Sequence, residues 1–194
     1  MSETRFKMTK EHHSDTYLTA KNNGKVDNEF IPLCDYIEKT KEYFTTSSCA
    51  GRITLVGLDK EENKKESAFH RKWHRKVKLG EVKEGIDSFN GKILWFKQEP
   101  LIFHIGTGTI DNARKILAVC EMAGIKRAGI KVAKEGKFII EMVGTHNITT
   151  PVKDGEIKIS DDYLAYLVEK ANEKYDKNFE MLKKFEKEVK KNLK

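Results

Sequence analysis

Two short stretches hold most of the side chains that can do chemistry. The first, YFTTSSCAGRITL (43–55), runs through four hydroxyl residues, a thiol, Ala-Gly and a lone arginine. Read as a turn between a helix and a strand, it offers backbone N–H groups and the Ser47 and Ser48 hydroxyls to an anion or a polar substrate edge. Gly51 permits close approach to the backbone. Arg52 can grip a phosphate or carboxylate as a planar fork. The alternative is a hydroxyl-capped helix end with Arg52 paired to a surface acid. Cys49 would follow a helix C-terminus, which raises a thiol pKa, so packing is expected of it rather than attack.

The second stretch, KQEPLIFHIGTGT (97–109), places Lys97, Glu99 and His104 around Pro100, where one strand pair is expected. A carboxylate and an imidazole there suit proton transfer, and imidazole is the side chain that exchanges its proton near neutrality. The alternative for His104 is a core or edge histidine. Gly106 and Gly108 precede a helix, in a weak version of the glycine-rich turn that binds cofactors. In VGTHNITTP (143–151), Thr145 and His146 end a strand and can add polar groups to a site; alone they are a turn. In HRKWHRKVK (70–78), Arg71, Lys72, Arg75 and Lys76 surround Trp73, a pattern suited to RNA through phosphate contacts and stacking; a surface loop is the alternative.

These side chains need a frame. Residues 1–25 read as a polar segment ending in a loop. Phe30, Leu33, Cys34, Ile37, Lys41 (by its stem) and Phe44 follow helical spacing, with Pro32 in the first turn and an end near Phe44. RITLVGL (52–58), KILWFKQ (92–98) and LIFHI (101–105) read as strands, 59–67 as a charged loop and 82–91 as turn-rich. Thr109 or Asp111 caps a helix that stops at Gly124. Glu135-Gly136 joins a hairpin. Ser160 caps a last helix whose apolar residues recur by three and four from Leu164 to Leu193, about 50 Å at 1.5 Å per residue. The order predicts one α+β domain over 1–194, with a mixed sheet flanked by helices and a long, basic C-terminal helix over 160–194.

Composition sets the outer bounds. The 194 residues are 38% hydrophobic and 35% charged, with a net charge of +7. A basic protein of this size suits a nucleic-acid partner or simply carries a lysine-rich surface. No run approaches a membrane span and the N-terminus has no apolar signal core, so a cytoplasmic protein without membrane contact is expected. Three scattered cysteines with no CxxC argue against a disulfide framework or a zinc site. No metal is expected.

Taken together, GKVDNEF, YFTTSSCAGRI, KQEPLIFHI, the AGI triplet at 128–130, GTHNITTPV and KISDDYLAYLVEKANEKYDKN resemble, in order, the wybutosine-synthesizing protein 3 family of tRNA methyltransferases. The resemblance spans residues 24 to 180. It implies an S-adenosylmethionine-dependent enzyme that methylates N-4 of a tricyclic wyosine-type base at position 37, beside the anticodon of phenylalanine tRNA. On that reading Ser47, Ser48, Arg52, Lys97, Gly106, Gly108 and Thr145 bind donor or substrate. Glu99, His104 and His146 accept a proton or read the base edge, and Arg71, Lys72, Trp73, Arg75 and Lys76 hold RNA. The basic end, Lys183 to Lys194, is expected to add nonspecific tRNA affinity. The competing classes are a non-catalytic tRNA-presenting protein and thiol-dependent catalysis through Cys49.

Overall fold

The computed structural model describes residues 2–58 and 68–194, so the charged loop expected at 59–67 lies outside the described residues. The chain forms two compact units. One comprises 1–50, 101–145 and 179–194; the other comprises 51–100 and 146–178. The α+β class and the long C-terminal helix are borne out, with the strands arranged as two sheets whose pairings are all antiparallel.

In the first unit, strands β1 (Tyr43–Cys49), β5 (Ile102–Thr107), β6 (Arg127–Lys134) and β7 (Lys137–Val143) form a sheet in the order β1-β5-β7-β6. Phe103, Ile105, Ile140 and Met142 face the core. Against them pack α2 (Ile31–Lys39), α4 (Ile110–Met122) and, from the final helix α5 (Asp161–Asn192), Leu182, Phe185 and Val189, with Leu193 just past its end. Helix α1 (Ser2–Asn22) covers part of the opposite face, where His13 stacks on Phe44 at 5.0 Å. The polar reading of 1–25 missed α1 because its few apolar residues do not recur at helical spacing.

The hydroxyl run is a strand, not a turn. Helix α2 stops at Lys39, where the Thr40 hydroxyl donates to the Ile37 carbonyl at 2.6 Å. Beyond it, β-branched Thr45 and Thr46 favour extended backbone. Glu38 accepts from both the Thr45 N–H and its hydroxyl, at 2.8 and 2.9 Å, which occupies part of the edge of β1. The turn shrinks to Ala50 and Gly51, whose φ of 100° only glycine adopts without strain. Cys49 therefore follows no helix C-terminus.

In the second unit, β2 (Arg52–Leu58), β3 (Ala68–Trp73), β4 (Ile93–Glu99), β8 (Ile148–Asp154) and β9 (Glu156–Ile157) form a sheet in the order β3-β2-β4-β8-β9. Ile53, Leu55, Leu94, Phe96 and Val152 face Val82 and Ile86 of α3 (Leu79–Asp87) and Leu164 to Ala171 of α5. The turn-rich reading of 82–91 is corrected: most of it is α3. Within the helix, a Cβ on Gly85 would come 2.6 Å from Leu55 Cδ1, so glycine there serves helix–sheet packing. Strands β4 and β5 belong to different sheets, so Glu99 and His104 do not share a strand pair.

Candidate active site

On the face of the first sheet opposite its core, one cross-strand row runs Ser47, His104, Glu141, Gly129. Its members come from four strands and from three separate sequence motifs: the hydroxyl run, KQEPLIFHI and the AGI triplet. Strand alternation fixes this. With Phe103 and Ile105 turned into the core, His104 must face the other way. A register shift between Thr45 and Ser47 brings Ser47 opposite it.

His104 Nε2 lies 2.9 Å from Glu141 Oε2, and Lys131 Nζ donates to the other Glu141 oxygen at 3.2 Å. The hydrogen bonds from His104 and then Lys131 lower the Glu141 pKa below the ordinary carboxylate value. An ionised carboxylate only accepts hydrogen bonds, so Nε2 is the ring nitrogen that donates to Glu141 and Nδ1 is the one free of that bond. This is the geometry of a base held by an orienting acid. A Cβ on Gly129 would meet nothing within 4 Å, so the end of the row beside Glu141 is open. Sequence reasoning missed Glu141 and Lys131, because a lone acid inside a hairpin carries no motif.

Beside this row, Thr46, Ser47 and Ser48 line a cleft of about 200 Å³ with Thr16, Tyr17 and Lys25. A larger cleft, about 1040 Å³, is lined by Phe6, Lys10, Glu42, Gly108 and Thr109, but by none of Ser47, His104 or Glu141. The two glycines of GTGT make room for aromatic rings. A Cβ on Gly106 would lie 2.1 Å from Phe44 Cζ, and one on Gly108 would lie 2.7 Å from Phe6 Cγ. Thr109 does cap α4, its hydroxyl accepting from the Asn112 N–H at 3.2 Å. Thr145 is exposed at the end of the first unit's central segment. Burial pushes the Cys34 and Cys120 thiols up to about 12, which makes them inert as nucleophiles.

In the second unit, Arg52 and Glu99 stand opposite each other on β2 and β4, and Arg52 Nε donates to Glu99 Oε2. Glu99 thus takes Arg52, not His104, as its partner. Lys97 stands one row along the same face, opposite Thr54 and Thr149. His146 precedes β8, and its carbonyl accepts from the buried Asn178 side chain at 3.5 Å. Of the basic stretch, Arg71 and Lys72 lie on the exposed strand β3. Arg75 pairs with Glu81 at 2.6 Å and Lys76 with Asp176 at 3.1 Å. Trp73 is partly buried and packs against the second unit's core.

The Methyltransferase TYW3 family matches residues 4–191. A relative from Thermococcus sibiricus, named tRNA(Phe) 7-((3-amino-3-carboxypropyl)-4-demethylwyosine(37)-N(4))-methyltransferase, is 33% identical over 97% of this chain and 96% of its own. Relatives of the same designation from Pyrococcus abyssi and Archaeoglobus fulgidus are each 36% identical over 86% of this chain, and over 86% and 84% of their own. A solved structure of a Pyrococcus horikoshii protein superposes with a TM-score of 0.91 at 32% identity, covering 97% of this chain and 98% of that one. The motif resemblance is thereby borne out across nearly the whole length, and the chain belongs to the Methyltransferase TYW3 family.

Proposed function

We propose that this protein transfers a methyl group from S-adenosylmethionine to N-4 of the 4-demethylwyosine-type base at position 37 of phenylalanine tRNA. The observation that carries this reading is the near end-to-end match to relatives named for that reaction. The row Ser47–His104–Glu141–Gly129 supports it by joining three family motifs around an oriented imidazole.

S-adenosylmethionine supplies an electrophilic methyl group on a sulfonium. The Ser47 and Ser48 hydroxyls and the Lys25 ammonium are the donor types that a carboxylate needs. Their cleft is smaller than the roughly 300–1,000 Å³ of whole-ligand sites, so it suits the amino-acid end. The residues present therefore fit the group. The acceptor nitrogen must lose its proton as it gains the methyl carbon. His104 Nδ1 takes that proton, and Glu141 steadies the imidazolium that results. Ser47 stands opposite His104 and positions the acceptor edge. The rest of the rate comes from alignment of the two reactants.

The test is incubation with methyl-labelled donor and phenylalanine tRNA carrying the demethylated tricyclic base. Label should enter that tRNA and not tRNA with an unmodified guanosine at position 37. Equal labelling of both, or of neither while RNA binds, would refute the reading. The second outcome would favour a tRNA-presenting protein.

A further inference from the structure

The face of the second sheet opposite its core carries an aromatic that the proposed reaction does not use. Phe69 on β3 is 51% exposed, although it lies within a paired strand. It stands in a row with Val56, Trp95 and Pro151 across four strands. The next row is Lys72, Thr54, Lys97 and Thr149. The Arg52 guanidinium carbon lies 4.7 Å from the Phe69 ring centroid and Lys72 Nζ lies 5.7 Å from it. Two polar atoms on this face, Thr54 Oγ1 and Trp95 Nε1, are buried without a hydrogen-bond partner among the described residues. Neighbouring His70 turns the other way, its Nε2 2.9 Å from the Gly85 carbonyl of α3.

We propose that Phe69 is a stacking platform for an unpaired RNA base, with Lys72 and Lys97 holding the flanking phosphates. The proposal rests on the methyltransferase reading for its choice of RNA. A half-exposed ring beside two cations has little to gain from water, whereas any base offers it a π-face. Lysines on a sheet face neutralise backbone phosphates without reading sequence. A net charge of +7 favours a polyanion over an acidic surface patch of limited size. Trp73, the aromatic that the sequence pattern suggests, is partly buried against the core, whereas Phe69 offers the more exposed ring of this strand.

The experiment measures affinity by fluorescence anisotropy, without methyl donor, for a single-stranded oligonucleotide of anticodon-loop composition and for an RNA duplex of equal length. Phe69→Ala should weaken single-strand binding about tenfold and duplex binding much less. Phe69→Trp should retain the single-strand affinity. Phe69→Leu, which keeps apolar bulk without a π-face, should not. Melting curves verify that each variant is folded. Unchanged single-strand affinity in Phe69→Ala, equal losses for single strand and duplex, or full rescue by leucine would overturn the proposal. RNA binding without any methyl transfer would sink the proposed reaction and leave this one standing.

Discussion

His104 and Glu141 carry the account at the scale of single residues. A positioned general base contributes about 10²–10⁴-fold, so His104→Ala should lower the single-turnover rate at least tenfold without a matching loss of tRNA affinity. Glu141→Gln should also slow the reaction, by releasing the tautomer that points Nδ1 at the acceptor. Glu141 leaves a thermodynamic signature as well. Its folded pKa is depressed, so its stabilising contribution is present above the ordinary carboxylate range and is lost as pH falls through the lowered value. Denaturant titrations should show wild type more stable than Glu141→Gln at neutral pH, with the gap closing in acid. A gap that is the same at every pH would mean that the pair does not set the Glu141 charge. Lys25→Ala should raise the donor dissociation constant about tenfold if its ammonium meets the donor carboxylate. Calorimetry with S-adenosylmethionine checks this, and unchanged affinity would remove Lys25 from the site.

Among the elements, glycine and threonine separate what the sequence makes legible from what it hides. Strands β2, β4 and β5, the capped helix α4, the hairpin at Glu135-Gly136 and the long helix α5 are readable, because each has a period or a cap of its own. The TTSSC run is not, since hydroxyl residues suit a turn and a strand edge equally and only pairing with β5 decides. His104 and Ser47 are legible as candidates, but their partner Glu141 is set by the register of β5 against β7, which no local pattern encodes. The same limit separated Glu99 from His104: Pro100 ends one strand pair rather than turning within it. Gly106 gives the sharpest test of this scale. A methyl group there must displace the Phe44 ring, so Gly106→Ala should cost about 1–3 kcal/mol of stability by chemical denaturation. Full stability with a loss of donor affinity would return Gly106 to the ligand-facing role.

At the scale of the whole molecule, the lysines of the final helix are proposed to hold tRNA through its phosphates. The basic end of α5 is also structural, because Phe185, Val189 and Leu193 are buried in the first unit's core and Tyr36 donates to the Leu193 carbonyl at 2.8 Å. Truncation there would remove core as well as charge. Replacing the exposed Lys183, Lys184, Lys187 and Lys191 by glutamine separates the two. That variant should stay folded, bind tRNA more weakly and show a salt dependence shallower by about 0.7–0.9 for each phosphate no longer neutralised. An unchanged slope would leave these lysines as a solvated surface. No described helix is long and apolar enough to cross a membrane. The central claim is methyl transfer to one ring nitrogen, and the most direct measurement locates that methyl group. After reaction of wild-type protein with S-adenosylmethionine and phenylalanine tRNA carrying the 4-demethylwyosine-type base, the nucleosides are released and analysed by fragmentation mass spectrometry. The account predicts one added methyl group on the tricyclic base at N-4. A methyl group on another nucleoside, or none on a bound and correctly modified tRNA, would contradict it.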